Sequence, residues 1–167
     1  MRRAEREIKD KSTVEEILRR ATVCRLAVCD GDIPYVVPLH FGYESNGLYF
    51  HSAPEGRKME TIKANPNVCF EVDVDQDVTR TDTPCNWEMK YRSVIGFGKA
   101  HIVDDPQEKR RALKMIVEPY SGDPCVNPES ALRDVAVVKI QIESMTGEKS
   151  RILISRCDAG NSTLVPG

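Results

Sequence analysis

Residues 68–75 leave the chain few options. Val68, Phe70, Val72 and Val74 alternate with Cys69, Glu71, Asp73 and Asp75. Successive side chains of a strand point to opposite faces, so this stretch predicts a strand with one buried face and one wet face. Its neighbours carry matching signals. Cys24–Cys29 is a strand by pattern, Asp30-Gly31-Asp32 a tight turn, and Tyr35–Tyr43 the returning partner. Pro34 and Pro38 interrupt that partner, and proline donates no ladder hydrogen bond, so Pro38 marks an edge, a bulge or a place where something other than a strand lies alongside. Ser45-Asn46-Gly47 is a hairpin turn joining Tyr43 to Leu48-Tyr49-Phe50.

The remaining elements are read in the same way. Ser12-Thr13-Val14-Glu15 has the form of a capping box, followed by Val14, Ile17, Leu18 and Ala21 at helical spacing, so a helix is expected over Ser12–Ala21. A second box, Asp105-Pro106-Gln107-Glu108, opens a helix bearing Leu113, Ile116, Val117 and Tyr120, which Pro119 helps to end. Gln76–Glu88 is polar and predicts a loop or lid carrying Trp87, and Ser121–Leu132 predicts another loop or broken turn. Tyr91–Val103 is a strand whose Gly96 and Gly98 signal either curvature or the close approach of a backbone or ligand. Val135–Met145 is the last strand, with Ala136, Val138, Ile140 and Ile142 facing inward. About six or seven antiparallel strands with about three short helices make a mainly β fold, an antiparallel barrel with helices at its ends. We expect a single domain over 1–155 and an aperiodic tail at 156–167, of the kind that is often disordered.

The stretch with most chemical content is Leu48–Pro66. A strand ends at His51-Ser52, turns through Ala53-Pro54-Glu55-Gly56, and restarts as a helix over Arg57–Ala64 that stops at Asn65-Pro66. Helix starts carry unpaired N–H groups and the positive end of the dipole, where cations are misplaced unless an anion sits there. Arg57 and Lys58 are either ordinary solvated charges in a chain that is 30% charged, or a phosphate clamp. The preceding strand, the turn and the His51-Ser52 pair favour the clamp.

Charge and cysteine usage exclude several classes. A net charge of −2 gives no basic field for nucleic acid, and Arg2, Arg3 and Arg6 interleave with Glu5 and Glu7 as a solvated helix face. No apolar run approaches the length of a membrane span and no signal peptide follows Met1, so neither nucleic acid nor membrane is expected as a partner. The six cysteines at 24, 29, 69, 85, 125 and 157 include no C-x-x-C pair and no zinc-like spacing with histidine. The expectation is a reducing cytoplasm, with neither disulfides nor bound metal.

Taken together, Pro34-Tyr35-Val36-Val37-Pro38-Leu39, Leu48–Ala53 with Gly56-Arg57-Lys58, Ala64-Asn65-Pro66-x-Val68 and Tyr91-Arg92-Ser93-Val94 resemble the pyridoxamine-5′-phosphate-oxidase-like flavin-binding split barrels. Within them the chain is most similar to the 5-nitroimidazole-reductase antibiotic-resistance proteins, from Met1 to about Gly147. The resemblance implies a six-stranded split barrel and a homodimer with FMN at the subunit interface. It implies that His51, Ser52, Arg57 and Lys58 hold the FMN phosphate. Val36, Val37, Pro38 and Leu39 would present backbone to the ring edge, and Ser93 and Val94 would touch the cofactor. The C-terminal tryptophan and arginine motif of true pyridoxamine phosphate oxidases is missing, which argues against that substrate.

The activity implied is an FMN-dependent transfer of electrons from NADH or NADPH to a small acceptor, a nitroaromatic among them. No nicotinamide fingerprint is present, so the donor would dock transiently. His51 is the candidate catalytic proton donor, with phosphate binding or packing as its alternative role. His40 and His101 are expected to be structural or exposed. Cys69, Trp87 and Tyr91 are either near the flavin or local packing. Two other functions remain open: a flavin carrier without turnover, and the same fold holding a deazaflavin or haem.

Overall fold

The computed structural model describes residues 4–82, 87–121 and 134–153. Eight strands and three α-helices follow in the order β1 (Glu7–Ile8), α1 (Lys11–Arg20), β2 (Cys24–Asp30), β3 (Ile33–Leu39), β4 (Gly42–Glu44), β5 (Gly47–Ser52), α2 (Arg57–Ala64), β6 (Asn67–Thr79), β7 (Glu88–Ile102), α3 (Pro106–Ser121) and β8 (Ala136–Leu153). All pairings are antiparallel, in the order β3-β2-β6-β7-β8-β5-β4, with β1 added to β8. The fold is therefore mainly β with a few short helices. The expected six or seven strands become eight among the described residues, where the two ends of the sheet, β3 and β4, share no ladder.

The sheet curls around one core. Leu26 of β2, Phe70 and Val72 of β6, Val94 of β7, Ile140 of β8 and Phe50 of β5 are fully buried in a single cluster, closed by Ile17 and Leu18 of α1 and Met59 and Ile62 of α2. Burying one such side chain contributes roughly 1.5–3 kcal/mol. The alternation at Val68–Val74 is borne out, as is the burial of Val138, Ile140 and Ile142. On the opposite face α3 covers Tyr49 and Val137 with Leu113 and Ile116, a second and smaller cluster.

The two glycines of β7 have separate explanations. A Cβ on Gly96 would stand 2.2 Å from the Phe70 ring, so its hydrogen makes room for a core aromatic. A Cβ on Gly98 would stand 2.2 Å from the Gln141 carbonyl oxygen, where the β7–β8 register shifts. Both are cases of close approach, by a side chain and by a backbone.

Several expectations need correction. The partner strand Tyr35–Tyr43 is divided at His40-Phe41, because β3 pairs with β2 while β4 pairs with β5 at the far end of the sheet. The Asp10 carboxylate, not Ser12, caps α1: it accepts from Thr13 N at 2.9 Å and from the Ser12 and Thr13 hydroxyls. The expected loop at Gln76–Glu88 begins as strand, since β6 runs on to Thr79 past a bulge at Asp75, whose φ of +58° breaks the register. Arg20 and Arg92 both bind the Asp75 carboxylate and hold that bulge. The last strand extends from Met145 to Leu153 by pairing along β7, where Glu148 and Lys149 interrupt the hydrophobic pattern. Pro119 lies within the last turn of α3 instead of ending it. Residues 4–6 form a 3₁₀ turn and Glu7–Ile8 a strand, so no helix face is present there. Arg2 and Arg3, most of the expected loop Ser121–Leu132, and the tail lie outside the described residues.

The Ser45-Asn46 turn has φ of +51° and +63°, the two positive values that a type I′ hairpin requires. Among the described residues, no helix is long and apolar enough to cross a membrane.

Candidate functional site

The corner between β5 and α2 is set by alternation. Pairing with β8 turns Phe50 into the core and His51 to the opposite face, where it meets solvent. Ser52 is the last paired residue, opposite Ala136, and is half-buried. The chain then enters α2 through Gly56, with φ +109° and ψ 168°. That region is essentially glycine's alone. A Cβ there would meet nothing within 4 Å, so backbone conformation and not space demands the glycine. Gly56 offers no side-chain cap. Its carbonyl accepts from Met59 N at 2.9 Å and Glu60 N at 3.0 Å, while no hydrogen bond to the N–H of Arg57 or Lys58 is found among the described residues.

Two cations stand at this start. The Nε of Arg57 donates to Asp30 Oδ2 at 3.0 Å, and its guanidinium carbon lies 4.5 Å from the centroid of the Tyr35 ring. The Lys58 ammonium lies 5.3 Å from the Phe50 ring centroid and is half-buried. Burial holds its pKa below the usual lysine value. No ion pair to a carboxylate is found for it among the described residues. His51 is lowered first by burial, then by the Lys58 ammonium, then by His40. Its ring therefore sits near Lys58 and tends to be neutral at pH 7.

The start of α2 presents uncapped amides, a guanidinium and a half-buried ammonium, and the His51 imidazole feels the charge of that ammonium. A phosphate monoester matches it, being anionic and rich in acceptors. The residues present thus fit the phosphate end of a flavin nucleotide.

The expected ring-edge residues lie on β3, an outer strand of the sheet. Tyr35, Val37 and Leu39 pack against the core, while Val36 is 56% exposed and Pro38 also points outward. Tyr35 touches Arg57, so the strand and the start of α2 are physically joined. Ser93 and Val94 are separate from this corner. They lie in mid-β7, Val94 entirely inside the core, and no hydrogen bond joins either to Arg57, Lys58 or His51 among the described residues.

The other residues singled out divide as follows. His40 Nδ1 lies 3.1 Å from the Thr22 carbonyl oxygen and 3.2 Å from the Tyr120 hydroxyl, tying the β3–β4 link to the end of α3. His101 is exposed on β7. The Trp87 indole donates to Thr81 O at 2.9 Å and stacks near Arg80, a local cluster at the β6–β7 connection. Cys69 faces outward between Ala27 and Phe97. Among the described residues, no group of three or more His, Cys, Asp or Glu is placed to hold a metal ion. Sequence reasoning missed the contacts of Arg57 with Asp30 and Tyr35 and of Lys58 with Phe50. Asp30 was legible only as a turn residue, and nothing in the order of residues says it meets an arginine 27 positions on.

Residues 10–149 match the profile of the family described as pyridoxamine 5′-phosphate oxidase. Among solved structures, a candidate 5-nitroimidazole antibiotic resistance protein from Bacteroides thetaiotaomicron is 36% identical, covering 87% of each chain with a TM-score of 0.78. A FAD-binding protein from Mesorhizobium loti is 24% identical over 87% of this chain and 97% of its own, with a TM-score of 0.65. A FAD and haem binding protein from Mycobacterium smegmatis is 13% identical over 87% and 73%, with a TM-score of 0.73. At those two identities the likeness is one of fold. An uncharacterised protein of Rhizobium meliloti strain 1021 is 29% identical over 65 residues, which are 39% of this chain; the match spans 42% of that curated relative's length.

Proposed function

The chain belongs to the pyridoxamine 5′-phosphate oxidase family, and on that premise we propose that it is an FMN-dependent oxidoreductase. It would pass electrons from NADH or NADPH to a small acceptor, with nitroaromatics the first class to test. The observation that carries the reading is the half-buried Lys58, without a carboxylate partner among the described residues, beside Arg57 at a helix start where Gly56 offers no side-chain cap. An ammonium partly removed from water is costly unless an anion compensates. The nitroaromatic is suggested by the 36% identical relative from Bacteroides.

When bound, the flavin supplies the redox chemistry. The chain's own residues then have defined tasks. Arg57, Lys58 and the first amides of α2 neutralise and orient the phosphate, with Ser52 at the edge of the turn. His51, neutral by preference, hydrogen-bonds at that end. The strand Val36–Leu39 lines the ring.

A second copy of the chain completes the site in this reading. Val36, Ala27, Cys69, Phe97 and Ser144 form one cross-strand row on the outer face of the sheet, and Phe97 is 54% exposed. An apolar row of this kind suits a like surface.

The test is the absorption spectrum of the freshly purified protein, followed by anaerobic titration with NADH and NADPH. Twin flavin bands bleached by either donor are expected. A Soret band in place of flavin bands would overturn the cofactor, and flavin that neither donor bleaches would leave a carrier instead of an enzyme.

A further inference from the structure

Arg57 is held on two sides by one hairpin. Asp30 closes β2 and accepts from its Nε at 3.0 Å, while Tyr35 of β3 lies under the guanidinium at 4.5 Å. The pairings Val28↔Tyr35 and Asp30↔Ile33 fix both residues on the same ladder, and Gly31, with φ +61°, closes the turn between them. A helix side chain is thus gripped by a carboxylate and a ring whose spacing is set by strand register.

The geometry decides which part of the guanidinium is offered. Its five N–H groups form a rigid planar fork. Asp30 takes Nε and Tyr35 packs against the guanidinium, and no other hydrogen bond of the fork is found among the described residues, which leaves the edge between the two terminal nitrogens for another anion. The Arg57 and Asp30 side chains are 50% and 48% exposed, so the pair contributes little to folding. Its effect is on where the fork points. A released arginine would spread over many rotamers and would have to be ordered again on binding.

We infer that Asp30, with Tyr35, is a positioning residue that sets the preference for a phosphorylated over an unphosphorylated flavin. The inference rests on the phosphate clamp proposed above and extends it to a residue outside the helix start. Because Tyr35 precedes Val36, the same hairpin links phosphate recognition to the strand assigned to the ring.

The experiment is fluorescence titration of the full chain with FMN and with riboflavin, read as the riboflavin dissociation constant divided by that of FMN. Riboflavin lacks the phosphate, so the ratio isolates phosphate recognition from ring binding. Arg57→Ala should lower the ratio about 10- to 100-fold, the range for a charge-assisted hydrogen bond. Asp30→Ala should lower it by about 3- to 10-fold, with riboflavin binding and the urea midpoint unchanged, and should add nothing once Arg57 is alanine. Asp30→Asn keeps an acceptor for Nε and should restore most of the ratio. Tyr35→Leu gives an independent reading through the other contact. If Arg57→Ala lowers the ratio while both Asp30→Ala and Tyr35→Leu leave it unchanged or raise it, the positioning role is wrong and the clamp stands. If Arg57→Ala itself has no effect, the clamp fails and the positioning role with it.

Discussion

The ammonium of Lys58 lies 5.3 Å from the ring centroid of Phe50, a side chain with no exposed surface. The contact places a cation against the rim of the core, where burial lowers its pKa. Replacing it should therefore separate binding from folding. In Lys58→Met the apolar stem stays while the charge goes, so the urea midpoint should hold or rise. FMN affinity should fall about 10- to 100-fold with the loss of roughly 1.5–3 kcal/mol of charge-assisted bonding. Unfolding and fluorescence titrations on the same sample check both. A less stable protein with unchanged affinity would make Lys58 a packing residue.

Gly96 and Phe70 make a second separable pair. Gly96→Ala should destabilise the fold by about 1–3 kcal/mol through overpacking, since the new methyl would meet the Phe70 ring at 2.2 Å. Phe70→Leu shrinks that ring, so the double variant should be more stable than the sum of the single losses by about 0.5–3 kcal/mol. Urea denaturation of the four proteins gives the cycle, and strict additivity would show that the ring is not what the glycine accommodates.

The fold was legible where a pattern was local. The alternation at Val68–Val74, the Ser45-Asn46-Gly47 turn and the helix at Arg57–Ala64 each follow from residues within one turn or strand of each other. Local pattern failed where pairing overrode it. Tyr35–Tyr43 is continuous in sequence yet serves opposite ends of the sheet, and β8 runs past Met145 only because β7 lies beside it. The strand end, turn and helix start around Gly56-Arg57-Lys58 were legible from local pattern, whereas the Arg57 contacts with Asp30 and Tyr35 depend on the hairpin folding back towards α2.

Asp10 gives the cap of α1 a pH signature. The Ser12 hydroxyl, then the hydroxyl and amide of Thr13, hold its carboxyl at about 2, below the ordinary 3.8. A depressed carboxylate contributes stability that is present above about 3.8 and is lost as pH falls through about 2. Asp10→Ala should lower the melting temperature at neutral pH, and the difference from the native chain should close near pH 2. Thermal melts across that range check the sign. A gap that stays constant with pH would mean the carboxylate is not what caps the helix.

The outer row centred on Phe97 carries the prediction about assembly. Phe97→Asp puts a charge where Cys69 and Ser144 flank it in the ladder. If a second copy covers that row, self-association should weaken by more than about 10-fold, from the lost burial of one aromatic side chain. FMN affinity should fall in parallel. Sedimentation equilibrium with and without FMN measures both, and an unaltered dimer would move the interface to another face.

His51 ties the electrostatics of the corner to its ligand. Burial, then Lys58, then His40 lower its pKa, so the folded chain favours the neutral ring. The stability linked to this group is present above the unfolded value of 6.5 and is eroded as pH falls below it. A phosphate beside the ring acts in the opposite sense, because an anion favours the imidazolium. Proton NMR titration, with His51→Asn assigning one of three histidine signals, should place the free protein below 6.5. Inorganic phosphate or FMN should move that value upward, and Lys58→Met alone should raise it by removing a like charge. The two shifts have different causes, so they can fail separately. A rise with Lys58→Met but none with either ligand would leave His51 beside the lysine and away from the phosphate, and would reduce the clamp to Arg57, Lys58 and the amides of α2.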